Sequence, residues 1–262
     1  MELIDTHAHL ASARIRNETE VLLKRAAEAD VGRIITIGTD TEDSLENTRL
    51  AATHDSVFAT VGVHPTSVHE VGENWLSEIR ELAAKPKVVA IGEAGLDYFH
   101  PPQDGSPEPE WRARQASFFR QQLDLAVELD LPIVIHQRES SEDVLAIMQD
   151  YVGKVRAVFH CYVGPVEEAR ELCDLGFHLS FTGVATYKNA AEVAECAAWV
   201  PLEKMMVETD SPFLAPVPKR GKTNEPSFVR HTAAFIAEKR GMTLAEFADA
   251  TTKTAIDFFR LN

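Results

Sequence analysis

Leu3-Ile4-Asp5-Thr6-His7-Ala8-His9-Leu10 opens the chain with two apolar residues, an acid, a Thr and then two histidines one residue apart. Side chains two apart on an extended strand point to the same face. His7 and His9 therefore aim both imidazoles at one point, as a metal ion requires. A bare His-x-His pair is as readily a surface accident. Its weight comes from the strands that follow, several of which end in a similar way.

Working outward, short β-branched runs alternate with longer amphipathic stretches. The spacing predicts strands over residues 3–5, 33–37, 57–62, 88–92, 132–135, 155–159, 177–181 and 204–207. Helices are predicted between them, the strongest over 115–130, and two more, 227–240 and 244–259, complete the chain. Segment 97–110, rich in Pro, Gly and Asp, reads as a long loop. Eight strands, each apolar throughout and each followed by a helix, imply a parallel sheet buried on both faces. Eight such units suggest an α/β fold of the closed (β/α)8 TIM-barrel type. The competing open, doubly wound sheet lacks its signature, since no Gly-x-Gly-x-x-Gly opens the first helix. No linker, repeat or low-complexity tract divides the chain, so residues 1–262 are expected to form a single domain.

Composition narrows the setting. With 45% hydrophobic and 26% charged residues in 29.0 kDa, the chain reads as an ordinary soluble globular protein. No apolar run approaches the roughly 18 residues of a membrane span, so no membrane association is expected. The first strand begins at about residue 3, which leaves no visible room for a secretory signal. Cys161, Cys173 and Cys196 are too few and too irregularly spaced for a disulfide framework or a zinc knuckle, and a reducing cytoplasm fits them best. The net charge of -15 excludes extensive non-specific coating of long nucleic acid, whose affinity comes mainly from phosphate neutralisation. Contact with nucleic acid is confined to places where metals or local Lys and Arg groups reverse the field. A monomer is compatible with these features.

The functional face of such a barrel is built from the C-terminal ends of its strands. His7 and His9 close the first strand, His64 the third, Glu93 the fourth, His136 the fifth, His160 the sixth and Asp210 the eighth. Packing alone does not explain so many such groups at one mouth, where they repel unless cations neutralise them. Four histidines (His7, His9, His136, His160) and two carboxylates (Glu93, Asp210) exceed the needs of one catalytic ion, which takes three or four protein ligands. They suit two divalent ions bridged by Glu93, with His7, His9 and Asp210 on one ion and His136 and His160 on the other. Mg, Mn or Zn are the candidates. Imidazole-rich sites favour Zn, Mn, Ni or Co over Mg, which prefers oxygen and its own waters.

The chain resembles the TatD-type metal-dependent deoxyribonucleases over essentially its whole length. The resemblance rests on Ile4-Asp5-Thr6-His7-Ala8-His9-Leu10, Gly62-Val63-His64-Pro65 and Ile91-Gly92-Glu93-Ala94-Gly95-Leu96-Asp97-Tyr98. It continues through Ile135-His136-Gln137-Arg138, His160-Cys161-Tyr162, Tyr187-Lys188-Asn189-Ala190, Glu208-Thr209-Asp210-Ser211-Pro212 and the stretch from Pro218 to Pro226. It implies a barrel hydrolase whose metal ligands fall on the positions named above. It also implies a nuclease acting on DNA with 3′→5′ polarity. Two departures lie near the mouth: the long Pro-rich loop after Tyr98, and Tyr162-Val163-Gly164 where many members have Phe-Ser-Gly.

Arg138, Lys188, Arg220 and Lys222 follow the fifth, seventh and eighth strands and are read as a clamp for an anionic substrate. His64 either donates to the same phosphate or holds the loop begun by Pro65. Phe99, Tyr162, Tyr187 and Phe213 flank the site as candidates for stacking a base or for packing. No Ser or Cys nucleophile motif is evident, so attack by water is expected, with Glu93 and Asp210 as the catalytic carboxylates. The small basic spot and concave mouth point to single-stranded ends or short fragments of DNA. The alternative is a metal-dependent amidohydrolase or lactonase acting on a small molecule.

Overall fold

A computed structural model describes residues 1–102 and 104–261. Gln103, within the predicted loop, and Asn262, at the end of the predicted domain, lie outside the described residues. Strands and helices alternate from β1 (Leu3–Ala8) and α1 (Thr19–Glu28) through β2 (Val31–Thr36), α2 (Thr41–Thr53), β3 (Val57–Val61), α3 (Trp75–Ala83) and β4 (Val88–Asp97). The order continues with α4 (Glu108–Leu129), β5 (Ile133–Arg138), α5 (Ser141–Gln149), β6 (Ala157–Phe159), α6 (Val166–Asp174), β7 (His178–Phe181), α7 (Ala191–Trp199) and β8 (Met205–Val207). Helices α8 (Val229–Lys239) and α9 (Leu244–Phe259) follow. Among the described residues the eight strands pair in parallel, in sequence order β1 to β8.

The barrel closes through a short seam rather than a full ladder. Asp210 N donates to His7 O at 2.8 Å and His9 N to Ser211 O at 2.7 Å, so β1 meets the chain just beyond β8. Buried Asp5 reinforces the seam by accepting from Thr209 N at 2.8 Å and Thr209 Oγ1 at 2.6 Å. The apolar strands divide their side chains between two cores, as burial on both faces requires. Ile4, Ile35, Phe58, Val89, Val134, Val158 and Met206 fill one, which Phe258, Phe259 and Leu261 at the end of α9 plug. The larger core lies between strands and helices. Helix α9 starts on a capping box in which Thr243 and Glu246 satisfy each other's backbone N–H groups.

Several boundaries shift from the sequence reading, and two of the shifts have a clear local reason. Helix α4 begins at Glu108 rather than at 115, because Pro107 and Pro109 occupy the N-cap and first turn, where a missing N–H costs nothing. Strand β4 runs on to Asp97 instead of stopping at Gly92. Its pairing with β5 steps from Ile91↔Ile133 to Ala94↔Ile135, so β4 carries one extra residue, a bulge that re-aims Glu93. Gly92 (φ 126°) and Gly95 (φ 149°) make the bulge sterically accessible.

A Cβ at Gly95 would lie 2.0 Å from His136 O, in a backbone region that L-residues rarely adopt. Gly95→Ala is therefore expected to cost about 3 kcal/mol of stability. Urea unfolding of the variant, read as a lowered midpoint at unchanged slope, checks this.

Candidate metal centre

The donor atoms gather around Glu93, whose carboxylate is almost wholly buried, with its side chain 4% exposed. Glu93 Oε2 faces His7 Nε2 at 3.5 Å and His9 Nε2 at 3.8 Å. Glu93 Oε1 faces His160 Nε2 at 2.7 Å and His136 Nδ1 at 2.8 Å. Asp210 Oδ1 lies 3.2 Å from His9 Nε2 and 3.7 Å from His7 Nε2. His160 belongs to both halves, because its ring stacks on that of His7 with centroids 4.0 Å apart. Three overlapping sets have donor atoms within 4.8 Å of one another: His7, His160 and Asp210; His7, His9 and Glu93; His64, Glu93 and His136.

His64, read from sequence as a substrate contact, thus comes within 3.4 Å of Glu93 Oε1 through Nε2. Its Nδ1 accepts from Thr66 N at 3.2 Å, which leaves the proton on Nε2 and turns a donor toward the site. Arg138 is exposed at the end of β5, and Lys188, Arg220 and Lys222 are exposed on the loops after β7 and β8. Arg138 lies over the Phe99 ring at 4.0 Å and Arg220 over Tyr187 at 3.7 Å.

Sequence reasoning missed the groups that orient the ligands. Asp97 Oδ2 lies 3.0 Å from His136 Nε2, fixing that ring with its Nδ1 toward Glu93. The same carboxylate holds His100 through its backbone N and Nδ1, both at 2.9 Å. Glu208 Oε1 is 3.3 Å from His160 Nδ1 and accepts from Cys161 N at 2.7 Å, while Ser180 donates to Oε2. Asp97 shares a strand face with Glu93 at an even spacing, and that period was the available signal. Glu208 stood beside Asp210 in the motif but was read only as its neighbour.

Electrostatics follow from burying acids and imidazoles together. Burial opposes the charge on Glu93, but His160, His64 and His136 overcome it and hold its carboxyl well below the usual range. Burial also opposes the charge on His160, yet Glu93 and Glu208 raise it well above the ordinary imidazole value. His136 and His9 are raised in the same way, against burial, by Asp97 with Glu93 and by Asp210. His7, fully buried, is lowered by desolvation and by His160. Burial pushes Asp5 up to about 8 against its hydrogen bonds from Thr209.

The donor set fits a divalent metal. His7 Nε2 and His9 Nε2 converge to 3.3 Å, as do His136 Nδ1 and His160 Nε2. Nitrogen lone pairs at that separation repel unless a proton or a cation lies between them. By contrast, a cavity of about 500 Å³ at the opposite end of the barrel, beside Arg156, His178 and Phe258, gathers no such set.

Asp97→Asn keeps the shape of the side chain but loses the charge behind His136. Metal affinity should fall about 10–100-fold with the fold intact, as measured by calorimetric titration alongside circular dichroism. Loading must also displace the protons that the carboxylates keep on His160, His136 and His9. The sign is that of proton competition, so the metal dissociation constant should rise as pH drops from about 8 to about 6, with proton release measurable in buffers of different ionisation enthalpy.

Comparison with known proteins places this geometry. The chain matches the family model for TatD-related DNases over residues 4–260. It is 41% identical to the metal-dependent hydrolase YabD of Bacillus subtilis, covering 99% of this chain and 100% of that one. It is 33% identical to the 3′-5′ ssDNA/RNA exonuclease TatD of Erwinia tasmaniensis, covering 99% and 100%. The crystal structure of YjjV, a TatD homologue from Escherichia coli, superposes with a TM-score of 0.91 at 27% identity, covering 99% and 98%. With that match running almost end to end, the chain belongs to the TatD-related DNase family and is a metal-dependent hydrolase.

Proposed function

We propose that the protein hydrolyses phosphodiester bonds in DNA, as a 3′→5′ exodeoxyribonuclease that takes single-stranded ends. The observation that carries this reading is the division of one carboxylate between two donor sets. Glu93 Oε2 turns to His7 and His9, and Oε1 turns to His136 and His160. That arrangement suits two divalent ions, with Mn, Mg and Zn as candidates. Divalent ions held there supply Lewis acidity to a phosphoryl oxygen and make water nucleophilic at neutral pH.

The chain's own residues do the rest. Asp210, its carboxyl kept below the usual range against burial by His9, accepts the proton of the attacking water. His64 donates from Nε2 to a non-bridging phosphate oxygen. Arg138, Arg220, Lys188 and Lys222 hold neighbouring phosphates. None of them is ion-paired among the described residues, whereas Arg25, Arg80 and Arg260 are each paired with a carboxylate. In a chain of net charge -15 so local a cationic group holds a few nucleotides, which favours ends over long tracts. The name of the Erwinia relative supports single-stranded nucleic acid and the polarity. No helix among the described residues is long and apolar enough to cross a membrane, and the three cysteines are free, which suits the cytoplasm.

The test incubates metal-reconstituted protein with end-labelled linear single strands, covalently closed single-stranded circles, duplex DNA and a panel of lactones and amides. Mn or Mg should support cleavage better than Ca, a chelator should abolish it, and linear single strands should shorten from the 3′ end while circles persist. Circles cut as fast as linear strands would make the protein an endonuclease. Turnover confined to the lactone and amide panel would make it an amidohydrolase on the same centre.

A further inference from the structure

Among the described residues, Phe99 and Phe213 are the aromatic side chains left exposed, at 50% and 42%. A chain with 13 Phe that buries or half-buries the others leaves these two open on loops at the barrel mouth. Each ring carries an arginine across it: Arg138 at 4.0 Å from the Phe99 centroid and Arg14 at 5.2 Å from Phe213. Neither arginine is ion-paired with a carboxylate among the described residues. By contrast, the Tyr162 and Tyr187 hydroxyls donate to the carbonyls of Pro165 and Ala215, which fixes those rings within the protein.

The two rings reach opposite halves of the metal centre. Phe213 stands edge-on to His9, centroids 6.1 Å apart, and His9 contacts Asp210. Phe99 stands edge-on to His100 at 5.0 Å, and His100 shares the Asp97 carboxylate with His136. With strands ordered β1 to β8 around the barrel, the β1/β8 rim that carries Phe213 faces the β4/β5 rim that carries Phe99. A phosphodiester seated at the donors between them has one neighbouring nucleoside on either side.

We infer that Phe99 and Phe213 are the binding platforms for the two bases that flank the scissile phosphate, each base stacking on an open ring backed by an arginine. The inference rests on the nuclease reading and gives its substrate a minimum of two bases. Aromatic stacking tolerates any base, because every base has a π face. Arg138 and Arg14 strengthen each ring through its quadrupole and keep N–H donors for the adjoining phosphates.

The test measures binding of labelled tetrathymidylate by anisotropy with EDTA present, so that no strand is cut, and KM for its cleavage with Mn. Strands with an abasic unit at the last or the penultimate 3′ position serve as partners in a protein–substrate cycle. Phe99→Ala and Phe213→Ala should each weaken binding and raise KM about 10-fold on the full strand, with kcat little changed. Phe→Trp at either position should restore both. On the strand lacking the base that stacks on the altered ring, the same Phe→Ala change should have no further effect, and the two rings should answer to different abasic positions. Unchanged binding and KM in both alanine variants, or equal losses on full and abasic strands, would overturn the platforms while leaving a nuclease. Failure of the unaltered protein to cut any strand with Mn would overturn the nuclease reading and the platforms with it.

Discussion

Everything at the mouth of this barrel depends on one buried carboxylate. Removing Glu93 from water is costly unless opposite charge and hydrogen-bond donors surround it. Five imidazoles, on His7, His9, His64, His136 and His160, supply those partners within 3.8 Å. Placing the carboxylate there requires β4 to break its register against β5. The break in turn requires residues without a Cβ at 92 and 95, where β5 backbone atoms approach closely. The chemistry of a single side chain thus reaches back into the backbone rules of the central sheet.

The seam of the barrel answers the same demand. Strand β8 is only three residues long; Thr6 Oγ1 donates to Val207 O within it, and the backbone bonds that join the chain just beyond it to β1 come from the ligand-bearing residues themselves, Asp210 to His7 and His9 to Ser211. Barrel closure and ligand placement are therefore one set of hydrogen bonds, with buried Asp5 and Thr209 beneath them. Rigidity comes from the far end, where Phe258 and Phe259 plug the interior core and leave the mouth free to be polar. A TIM barrel commonly divides its labour in this way, with stability at one face and function at the other.

Much of this was legible because it follows short periods. Alternation put His7 and His9 on one face, and the repeated strand–helix spacing located the ends of β6 and β8, so the residues read as ligands do meet around Glu93. What escaped depends on context that a linear pattern does not carry. The bulge hid the true length of β4, so Asp97 was read as the start of a loop rather than as the partner of His136. Glu208 is oriented by Ser180 from β7 and by the Cys161 backbone beyond β6, and both contacts are long-range. The start of α4 was misread because prolines that mark loops elsewhere are at home in a helix's first turn. His64 lay between two roles in the sequence, and only its bond from Thr66 indicates where its proton resides.

Charge arranges the approach to this site as firmly as shape does. The body of the protein is acidic, at -15, and repels a polyanion wherever its carboxylates face solvent. Screening limits that repulsion to about 8–10 Å at ordinary salt, so the field felt at the mouth is set by the groups nearest to it. There the balance reverses, because Arg14, Arg138 and Arg220 are spent on aromatic faces rather than on carboxylates. A guanidinium lying on a ring keeps its full charge, whereas one locked to a carboxylate presents a neutral pair. Pairing arginine with Phe or Tyr therefore builds a cationic rim that does not cancel itself, on a surface that elsewhere pairs many of its arginines away. On the proposed reading, an anionic chain end would be attracted only where the rim and the donors around Glu93 act together. On the same reading, an anionic substrate would therefore be drawn to the mouth, where the donors around Glu93 converge.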